Sequence, residues 1–484
     1  MAMRSASLLP RPLLLASLLL VGTCGAAVSQ VPADSSTGAA IADSTATTLA
    51  DSTGTTLADN TGATLADSTG TALQDFISTA IEYSPRLGIA RENLNIRAAR
   101  NDAALGQLLP QLSASASVTA NRREAQNRSR DFKGERYSLQ LNQVLFNWEA
   151  FAAKRQALRF EEQHQAIYRY ELSLLFAQVA DLYLQVLQAQ DALESVQAEL
   201  DAVRSQAEQI QSLYDRQLAR ITDLRQAQAS RSSVWAEQIR LQSELELARE
   251  ALRAASGLAA GELFTLGAAA AAPQLEGGIQ DWVQLALKNN FQIEAGRRAL
   301  EAAAEGISQG KGVYMPNLAL VAQLQDSNVD SDNAPVERAD ITSIGIRASM
   351  PLYSGGSNWA GIREARSNHA LAERQLRQVE LDTSERVRGA FLQFQASTSL
   401  IEAALALVES ATLAAEAMQQ GFALGTVTSV DVLKAIRDRF RAERDLQQAR
   451  YDQLRYFLLL KHEAGTLTMD DMSSVSSWFT KSEP

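Results

Sequence analysis

Four short segments of the chain alternate apolar and polar residues with a period of two. In residues 112–120 the even positions hold Leu, Ala and Val, and the odd positions hold Ser and Thr. Residues 137–142, 318–324 and 344–352 alternate in the same way. Successive side chains of a strand point to opposite faces, so each segment predicts a strand with one apolar and one polar face. A half-buried hairpin of a water-soluble protein would show the same pattern.

Very long stretches without a helix breaker follow these segments. Residues 149–220 contain no proline and no glycine, which predicts a helix roughly 100 Å long at 1.5 Å per residue. Residues 359–424 nearly match it, and return helices are expected over 224–255 and 432–464. Apolar spacings of three and four near the first turn are typical of coiled coils. The fold class is therefore mainly α with a small β part, and its hairpins fit either a water-filled tube or a solid rod.

The whole pattern occurs twice. Asp75-Phe76 and Asp281-Trp282 open matching helical segments 206 residues apart, and these segments end at Pro110 and Pro316, again 206 apart. Three further pairs keep the order: 144–148 with 351–355, 221–224 with 429–432, and 255–258 with 464–467. Such a series predicts a tandem duplication. Each unit comprises a helix that ends at the proline, two strands joined by a polar loop (121–136 or 326–340), and a long helical hairpin.

The predicted domain boundaries follow from this repeat. They are 1–27 for an export signal, 28–72 for a flexible low-complexity linker, 73–258 for the first unit (strand hairpin 112–146, helical hairpin 149–256), 259–278 for a second linker, 279–467 for the second unit (strand hairpin 317–353, helical hairpin 359–464) and 468–484 for a C-terminal tail.

The N-terminal segment has the pattern of an export signal. Arg4 and Arg11 precede an apolar run over 13–22, and small residues follow it. Cys24 is the one cysteine of the chain, so an intrachain disulfide is excluded. A lipid anchor at Cys24 and an ordinary cleavage site near Ala26 or Ala27 both remain open.

After this segment no stretch holds 18 consecutive apolar residues, so a membrane-embedded part is expected to consist of strands. Four strands are too few to close a barrel, because known membrane barrels start at about eight. An open sheet would leave unpaired backbone groups in lipid. Several copies must therefore contribute strands: two copies would give eight, and three would give twelve.

Composition excludes some function classes. The 45 Lys and Arg residues against 56 Asp and Glu residues give a net charge of −11, which disfavours nucleic acid as a partner. His164, His369 and His462 stand alone without metal-ligand spacing, and no catalytic or phosphate-binding motif is present. We therefore expect no enzyme activity, no cofactor and no metal site.

Residues 73–467 resemble the TolC family of bacterial outer-membrane efflux and secretion channels. The most specific stretch is 422–435 (FALGTVTSVDVLKA), and 219–229 is its counterpart in the first half. The resemblance implies a homotrimer in the outer membrane, with a twelve-stranded barrel that continues into a periplasmic tube of twelve helices. It also implies a periplasmic adaptor protein and an inner-membrane pump or ABC exporter as partners. The pump or exporter would supply the energy, and the duct itself would give passive exit.

The resemblance also places a gate at the turns of the helical hairpins. The family's aspartate ring maps onto Asp431, whereas a second acid one turn further on is Lys434 here. The family's ionic latch pairs an arginine with an acid of the other hairpin. Asp223, next to Thr222, matches that acid, but Val427 occupies the arginine position and Phe422 that of a linking tyrosine. Because of these departures at Val427 and Lys434, the existence of an ionic latch remains open.

Simpler roles exist for some of these residues. Asp223 and Asp431 each stand where a return helix begins, and Asp is favoured at caps and in first turns. Gly425 is expected to end the preceding helix in a left-handed turn. At the level of the whole protein, the competing hypothesis to an export duct is a soluble periplasmic coiled-coil scaffold or tether. The export signal, the alternating strands and the duplication favour the duct.

Overall fold

The computed structural model describes residues 72–125, 128–261, 263–266, 275–329 and 338–480. The predicted export signal, Cys24 and the linker up to residue 71 lie outside the described residues. The helices are α1 (Leu73–Tyr83), α2 (Pro85–Gly106), α3 (Trp148–Asp215), α4 (Ile221–Ser256), α5 (Ile279–Asn289), α6 (Phe291–Gly312), α7 (Ser357–Ala423), α8 (Ser429–Glu463) and α9 (Met469–Ser476). The strands are β1 (Gln111–Ala125), β2 (Arg128–Phe146), β3 (Thr265–Leu266), β4 (Asn317–Val329), β5 (Ala339–Ser349) and β6 (Phe479–Thr480).

The first helical segment of each unit is two helices, where the sequence predicted one. In the first unit Ser84 caps α2 by accepting a hydrogen bond from Leu87 N, and Pro85 occupies the first helical position. Proline is tolerated there because its missing N–H would have no intrahelical partner. In the second unit Asn290 Oδ1 accepts hydrogen bonds from the backbone N–H groups of Gln292 and Ile293. A cap inside a helical pattern thus breaks the segment at the same place in both units.

The four long strands form one antiparallel sheet in the order β1-β2-β4-β5. Its register brings equivalent residues of all four strands into rows. One apolar row consists of Leu112, Leu141, Ala322 and Ile344. The next row is polar and consists of Ser113, Gln140, Gln323 and Ser343. The sheet therefore has one apolar and one polar face, as the alternation predicted, and within this chain the apolar face is uncovered, with Ile344 75% exposed.

The strands extend into the segments that the sequence predicted as polar loops. β1 runs to Ala125 and pairs with β2 from Arg128 onward, so most of the expected loop 121–136 is strand. β4 likewise runs to Val329, and β5 starts at Ala339, inside the expected loop 326–340. Charged side chains pair across the strands here: Arg122 with Asp131 at 2.7 Å, and Arg338 with Asp326. Backbone pairing continues where the apolar alternation ends, because ladder hydrogen bonds do not depend on side-chain polarity.

The helices stand in two rows. Near the sheet the order is α2-α3-α6-α7, and further away it is α4-α3-α8-α7. The first row repeats the order of the strands, because α2 leads into β1, α3 follows β2, α6 leads into β4 and α7 follows β5. The antiparallel pairs α3/α4 and α7/α8 are the two predicted helical hairpins. Since α3 contacts both α6 and α8, the two units are joined along their whole length.

The duplication is visible in the hydrophobic core. Phe76, Ile77 and Ala80 of α1 are buried, and so are the residues 206 positions later in α5. Those counterparts are Trp282, Val283 and Ala286. The same spacing of apolar residues therefore anchors the short helix of each unit against a long one.

The C-terminal segment and the second predicted linker take part in this core. Met472 of α9 and Phe479 of β6 are buried, and the Phe479 ring packs against Tyr183 with centroids 5.3 Å apart. β6 pairs with β3, which lies within the predicted linker 259–278. Residues 469–480 are thus not a free tail. Their few apolar residues are separated by polar ones, so only the tertiary contacts identify them as core.

Two helices hold an 18-residue window that is apolar and long enough to cross a membrane by composition alone. The window in α3 is 56% buried within the chain, as expected of a core helix, whereas that in α7 is 11% buried. The α7 window is interrupted by charged residues, including Glu402 and Glu409, so it is not an unbroken apolar run. One face of α7 is therefore both apolar and uncovered in the single chain.

The close approach of the turn after α8 to the end of α5 gives a stability test. Gly465 has a φ of 70°, and an added Cβ would collide with the carbonyl oxygen of Asn289. We expect Gly465→Ala to destabilise the protein by about 2 kcal/mol or more, measured as the thermal midpoint of helix circular dichroism. Gly361→Ala is the matched control, because a Cβ there meets nothing within 4 Å. A helical Gly→Ala change should stabilise by about 0.5–1 kcal/mol. Equal midpoints for both variants would contradict this account of Gly465.

Candidate functional site at the turns of the helical hairpins

The turns of the two helical hairpins lie side by side, at the ends of α3 and α7 that are remote from the sheet. Leu224 of α4 packs with Val432 and Leu433 of α8 in one buried cluster, which also includes Ile210 of α3. The turns hold all the site residues predicted from the sequence. These are Thr222, Asp223, Phe422, Gly425, Val427, Asp431 and Lys434. The fold therefore brings together two segments that are 208 residues apart in the chain.

The second turn is shaped by two glycines. Gly425 has a φ of 74°, which is the left-handed conformation that glycine adopts at the end of a helix. Its N–H donates to Phe422 O, and the N–H of Thr426 donates to Gly421 O at 2.9 Å. A Cβ at position 421 would lie 2.5 Å from Cγ2 of Val427, so Val427 packs directly on Gly421. Phe422 and Val427 also contact the apolar cluster between the hairpins.

Asp431 lies in the first turn of α8 and is exposed. The cap of α8 is Thr428, whose Oγ1 accepts a hydrogen bond from Asp431 N at 3.3 Å and donates one to Asp431 Oδ2 at 2.6 Å. A carboxylate in a first turn also interacts favourably with the helix dipole. Asp431 is therefore held at the helix start by Thr428 and still presents its charge to solvent. Lys434 is exposed one turn further along α8.

The turn between α3 and α4 differs from the turn between α7 and α8 at the equivalent positions, 208 residues earlier in the chain. Arg220 occupies the cap position of α4 and makes no side-chain cap hydrogen bond. Gln217 has a φ of 62° where the second turn has Gly425. Asp223 is half-buried in the first turn of α4, and its N–H donates to Arg220 O. The two turns are thus related by duplication, but only the second has a hydroxyl cap that holds its aspartate.

Ionic contacts between the two turns are missing from the part of the chain that the structure describes. Neither Asp223 nor Asp431 has a Lys or Arg nitrogen within 4 Å among these residues, and Val427 makes apolar contacts.

Polar contacts that sequence reasoning did not identify join the two hairpins further from the turns. They are Glu199–Arg444, Asp191–Tyr451, Asp181–Arg455 and Ser173–His462. Each joins α3 to α8 across more than 240 residues of sequence, so no local pattern pairs them. One signal was available for Glu199, which stands among the regularly spaced apolar residues Val196, Leu200 and Val203. A charge on an apolar stripe requires a buried partner.

Burial changes the titration of several of these groups. Burial raises the pKa of the Asp191 carboxyl, and its hydrogen bond from Tyr451 offsets part of that change. Burial also lowers the pKa of His462, whose ring nitrogen lies 2.8 Å from Ser173 Oγ. A cavity of about 1080 Å³ lies next to these polar contacts between α3 and α8, and α3, α4 and α8 line it. Within the described ranges, no three His, Cys, Asp or Glu side chains are grouped so as to hold a metal ion.

The arrangement of a four-stranded sheet continued by paired long helices is a fold that solved structures share. The structure matches the open state of the MtrE outer-membrane channel of Neisseria gonorrhoeae with a TM-score of 0.71 at 19% identity, covering 82% of this chain and 91% of that one. At that identity the likeness shows the fold.

The sequence comparisons show the family. The profile described as "Outer membrane efflux protein" matches residues 76–258 and 282–465, one copy for each repeat. The outer membrane protein TolC of Vibrio cholerae is 30% identical over 391 residues, covering 78% of this chain and 89% of that protein. The alkaline protease secretion protein AprF of Pseudomonas aeruginosa is 28% identical, covering 73% of this chain and 74% of that protein.

The chain belongs to the outer membrane efflux protein family, which includes TolC. The resemblance and the tandem duplication inferred from the sequence are thereby confirmed. It is an outer-membrane protein with a periplasmic tunnel, and a channel protein rather than an enzyme.

The difference between the two helix caps can be tested directly. Thr428→Ala should destabilise the start of α8 by about 1 kcal/mol, because the N–H of Asp431 loses its acceptor. The reciprocal variant Arg220→Asn should protect the start of α4, because it supplies a cap where none exists. Hydrogen exchange of the amides at 430–432 and 222–224 would measure both effects. Unchanged exchange at 430–432 in Thr428→Ala would contradict the role assigned to Thr428.

Proposed function

We propose that this protein is the homotrimeric outer-membrane duct of a tripartite efflux pump or type I secretion system, with a gate formed by the helical hairpins at its periplasmic end. The observation that carries the proposal is the sheet, which has two free edges and an uncovered apolar face. Lipid is a suitable environment for that face, and only a closed barrel leaves no edge unpaired in lipid.

The strand directions allow copies to join edge to edge. β1 and β5 are the free edges, and every neighbouring pair in the sheet is antiparallel. With four strands, β1 and β5 run in opposite directions. Pairing β5 of one copy with β1 of the next therefore continues the antiparallel order. Three copies give a closed cylinder of twelve strands, which is large enough to leave a lumen.

The helices support the same assembly. α7 follows the edge strand β5 and is the last helix in both helix rows. Its free side therefore faces the place where the next copy would bind. Leu400, Leu407 and Met418 form an exposed stripe on α7, spaced by two and three helical turns. The helix row further from the sheet, α4-α3-α8-α7, has α4 at its other end, and α4 exposes Trp235 and Ile239.

The two exposed surfaces lie at matching heights. At 1.5 Å per residue, Leu407 is about 24 Å from the turn end of α7, and Trp235 and Ile239 are about 21 and 27 Å from the turn end of α4. The turns themselves share one buried cluster and therefore lie at the same level. We infer that Leu407 of one copy packs between Trp235 and Ile239 of the next. This contact would bury the apolar window of α7 in protein.

The turns of the helical hairpins would form the gate. Threefold symmetry would place three Asp431 carboxylates around one axis, and Lys434 would add three ammonium groups one turn away. A carboxylate ring attracts cations, and the lysines reduce that preference. Phe422, Gly425 and Val427 shape the second turn, and Thr222 and Asp223 lie in the neighbouring one.

The names of relatives support a pump or exporter as partner. TolC and AprF are named as outer-membrane and secretion proteins. A duct of this kind provides passive exit, so the energy comes from an inner-membrane pump or ABC exporter to which a periplasmic adaptor connects it.

Cysteine cross-linking tests the inferred contact between copies. We expect Ile239→Cys with Leu407→Cys to give a covalent trimer under oxidation, seen on non-reducing gels of the membrane fraction. Ile239→Cys with Leu392→Cys is the control, since Leu392 is also exposed but lies about 46 Å from the turn. Protein that remains monomeric, or a cross-link in the control alone, would contradict the inferred contact.

Ion selectivity tests the gate. In planar bilayers the purified protein should conduct, Asp431→Asn should reduce its preference for cations, and Lys434→Asp should increase that preference by adding a second acidic ring. Reversal potentials in a salt gradient measure the change, and Asp215→Asn is a control in the other turn. A water-soluble, non-conducting protein would instead indicate a periplasmic scaffold, and unchanged reversal potentials would remove Asp431 from the conducting path.

A further inference from the structure

The contacts between the two helical hairpins change in character along their length. Going away from the turns, α8 makes four polar contacts with α3, and Glu199–Arg444 is the one nearest the turns. Arg444 is about 22 Å from the start of α8, and Glu199 about 24 Å from the end of α3. The two groups therefore meet at the same level, and their nitrogen and oxygen atoms are 2.8 Å apart.

Between this ion pair and the turns the hairpins meet through apolar side chains. Val203, Ile210, Ile436 and Phe440 belong to the cluster that fills this part of the interface. Among the described residues, the polar side-chain contact between the hairpins here is a 3.4 Å hydrogen bond from Arg437 to Ser230. Apolar surfaces can separate and pack again without leaving an unpaired charge, whereas a buried ion pair resists separation.

The Glu199 carboxylate is the more constrained partner of the pair. Its side chain is 4% exposed and that of Arg444 is 23% exposed. Removing one partner would leave the other charge buried without compensation. The Glu250–Arg253 pair has the same chemistry, but both residues are on α4, so it does not join the hairpins.

We propose that the buried Glu199–Arg444 ion pair anchors the second hairpin to the first and sets the upper end of the segment that moves when the gate opens. This inference rests on the proposed function. Glu199 and Arg444 are positioning residues: they restrict movement to the part of the hairpins between the pair and the turns. The anchor thus supplies a restraint that the turns, with Val427 and Lys434, do not contain.

Single-channel conductance tests the anchor. We expect Glu199→Gln to raise the conductance of the resting channel several-fold, because the moving segment would then extend to the Asp191–Tyr451 contact. Arg444→Lys keeps the charge and should remain close to the unmodified protein, and the exchange Glu199→Arg with Arg444→Glu should restore most of the low conductance. Glu250→Gln is the matched control and should change nothing, because its partner Arg253 is on the same helix. Wild-type conductance in Glu199→Gln, or an equal rise in Glu250→Gln, would overturn the proposal.

Reducible cross-links in the Glu199→Gln background give a second test. Ser230→Cys with Arg437→Cys places two thiols on facing hairpins on the turn side, and Ser173→Cys with His462→Cys places two beyond the anchor. A reducible bifunctional thiol cross-linker on the first pair should return the raised conductance to a low value until a reductant is added, and the same link on the second pair should leave the conductance raised. An equal effect of both links would refute the anchor. An unmodified protein that never conducts would refute the proposed function instead.

Discussion

The unpaired edges of the sheet impose the constraint on which the rest of the structure depends. Each N–H and C=O along the outer sides of β1 and β5 needs a hydrogen-bond partner, and the apolar face of the same sheet needs a cover other than water. Four strands of one chain provide neither. On the β5 side of the sheet, the chain continues into α7, which also has a free side. The apolar window of α7 is 11% buried within the chain. In the proposed trimer, one neighbouring copy would cover both the strand edge and the helix.

The duplication explains why one chain has a free strand edge and a free helix on each of its two sides. Each unit contributes two strands and a helical hairpin, and the join between α3 and α6 places the units side by side in one order. The two repeats of the chain differ at the turns of their helical hairpins. Thr428 caps α8 and holds Asp431, whereas Arg220 leaves α4 without a side-chain cap. A duplicated scaffold therefore carries two different turns, and the second has the more rigidly placed charge.

The interface between the hairpins combines two kinds of contact with different consequences. Apolar packing near the turns contributes to stability without fixing one arrangement, because such surfaces tolerate small shifts. Buried polar pairs such as Glu199–Arg444 and Asp191–Tyr451 require one geometry, since any shift leaves a desolvated group without its partner. Their distribution along α3 and α8 gives the long hairpins a fixed part and an adjustable part.

The sequence by itself determined the elements and their repetition, because these depend on local periodicity. The alternation in 112–120, the breaker-free run 149–220 and the 206-residue spacing of Phe76 and Trp282 each reflect a backbone geometry that a short window records. It also placed Asp223 and Asp431 at equivalent helix starts. The break at Ser84-Pro85 was missed, as was the continuation of the strands to Ala125 and Val329, because a cap and a polar strand both interrupt an apolar pattern.

Only the tertiary structure decided which distant residues meet. Nothing near Glu199 in the sequence identifies Arg444 as its partner, and nothing near Phe479 indicates that it packs on Tyr183. These pairings depend on the angle and register at which α3, α8 and the C-terminal segment pack. That register is the sum of many small contacts along the helices, so no single segment specifies it.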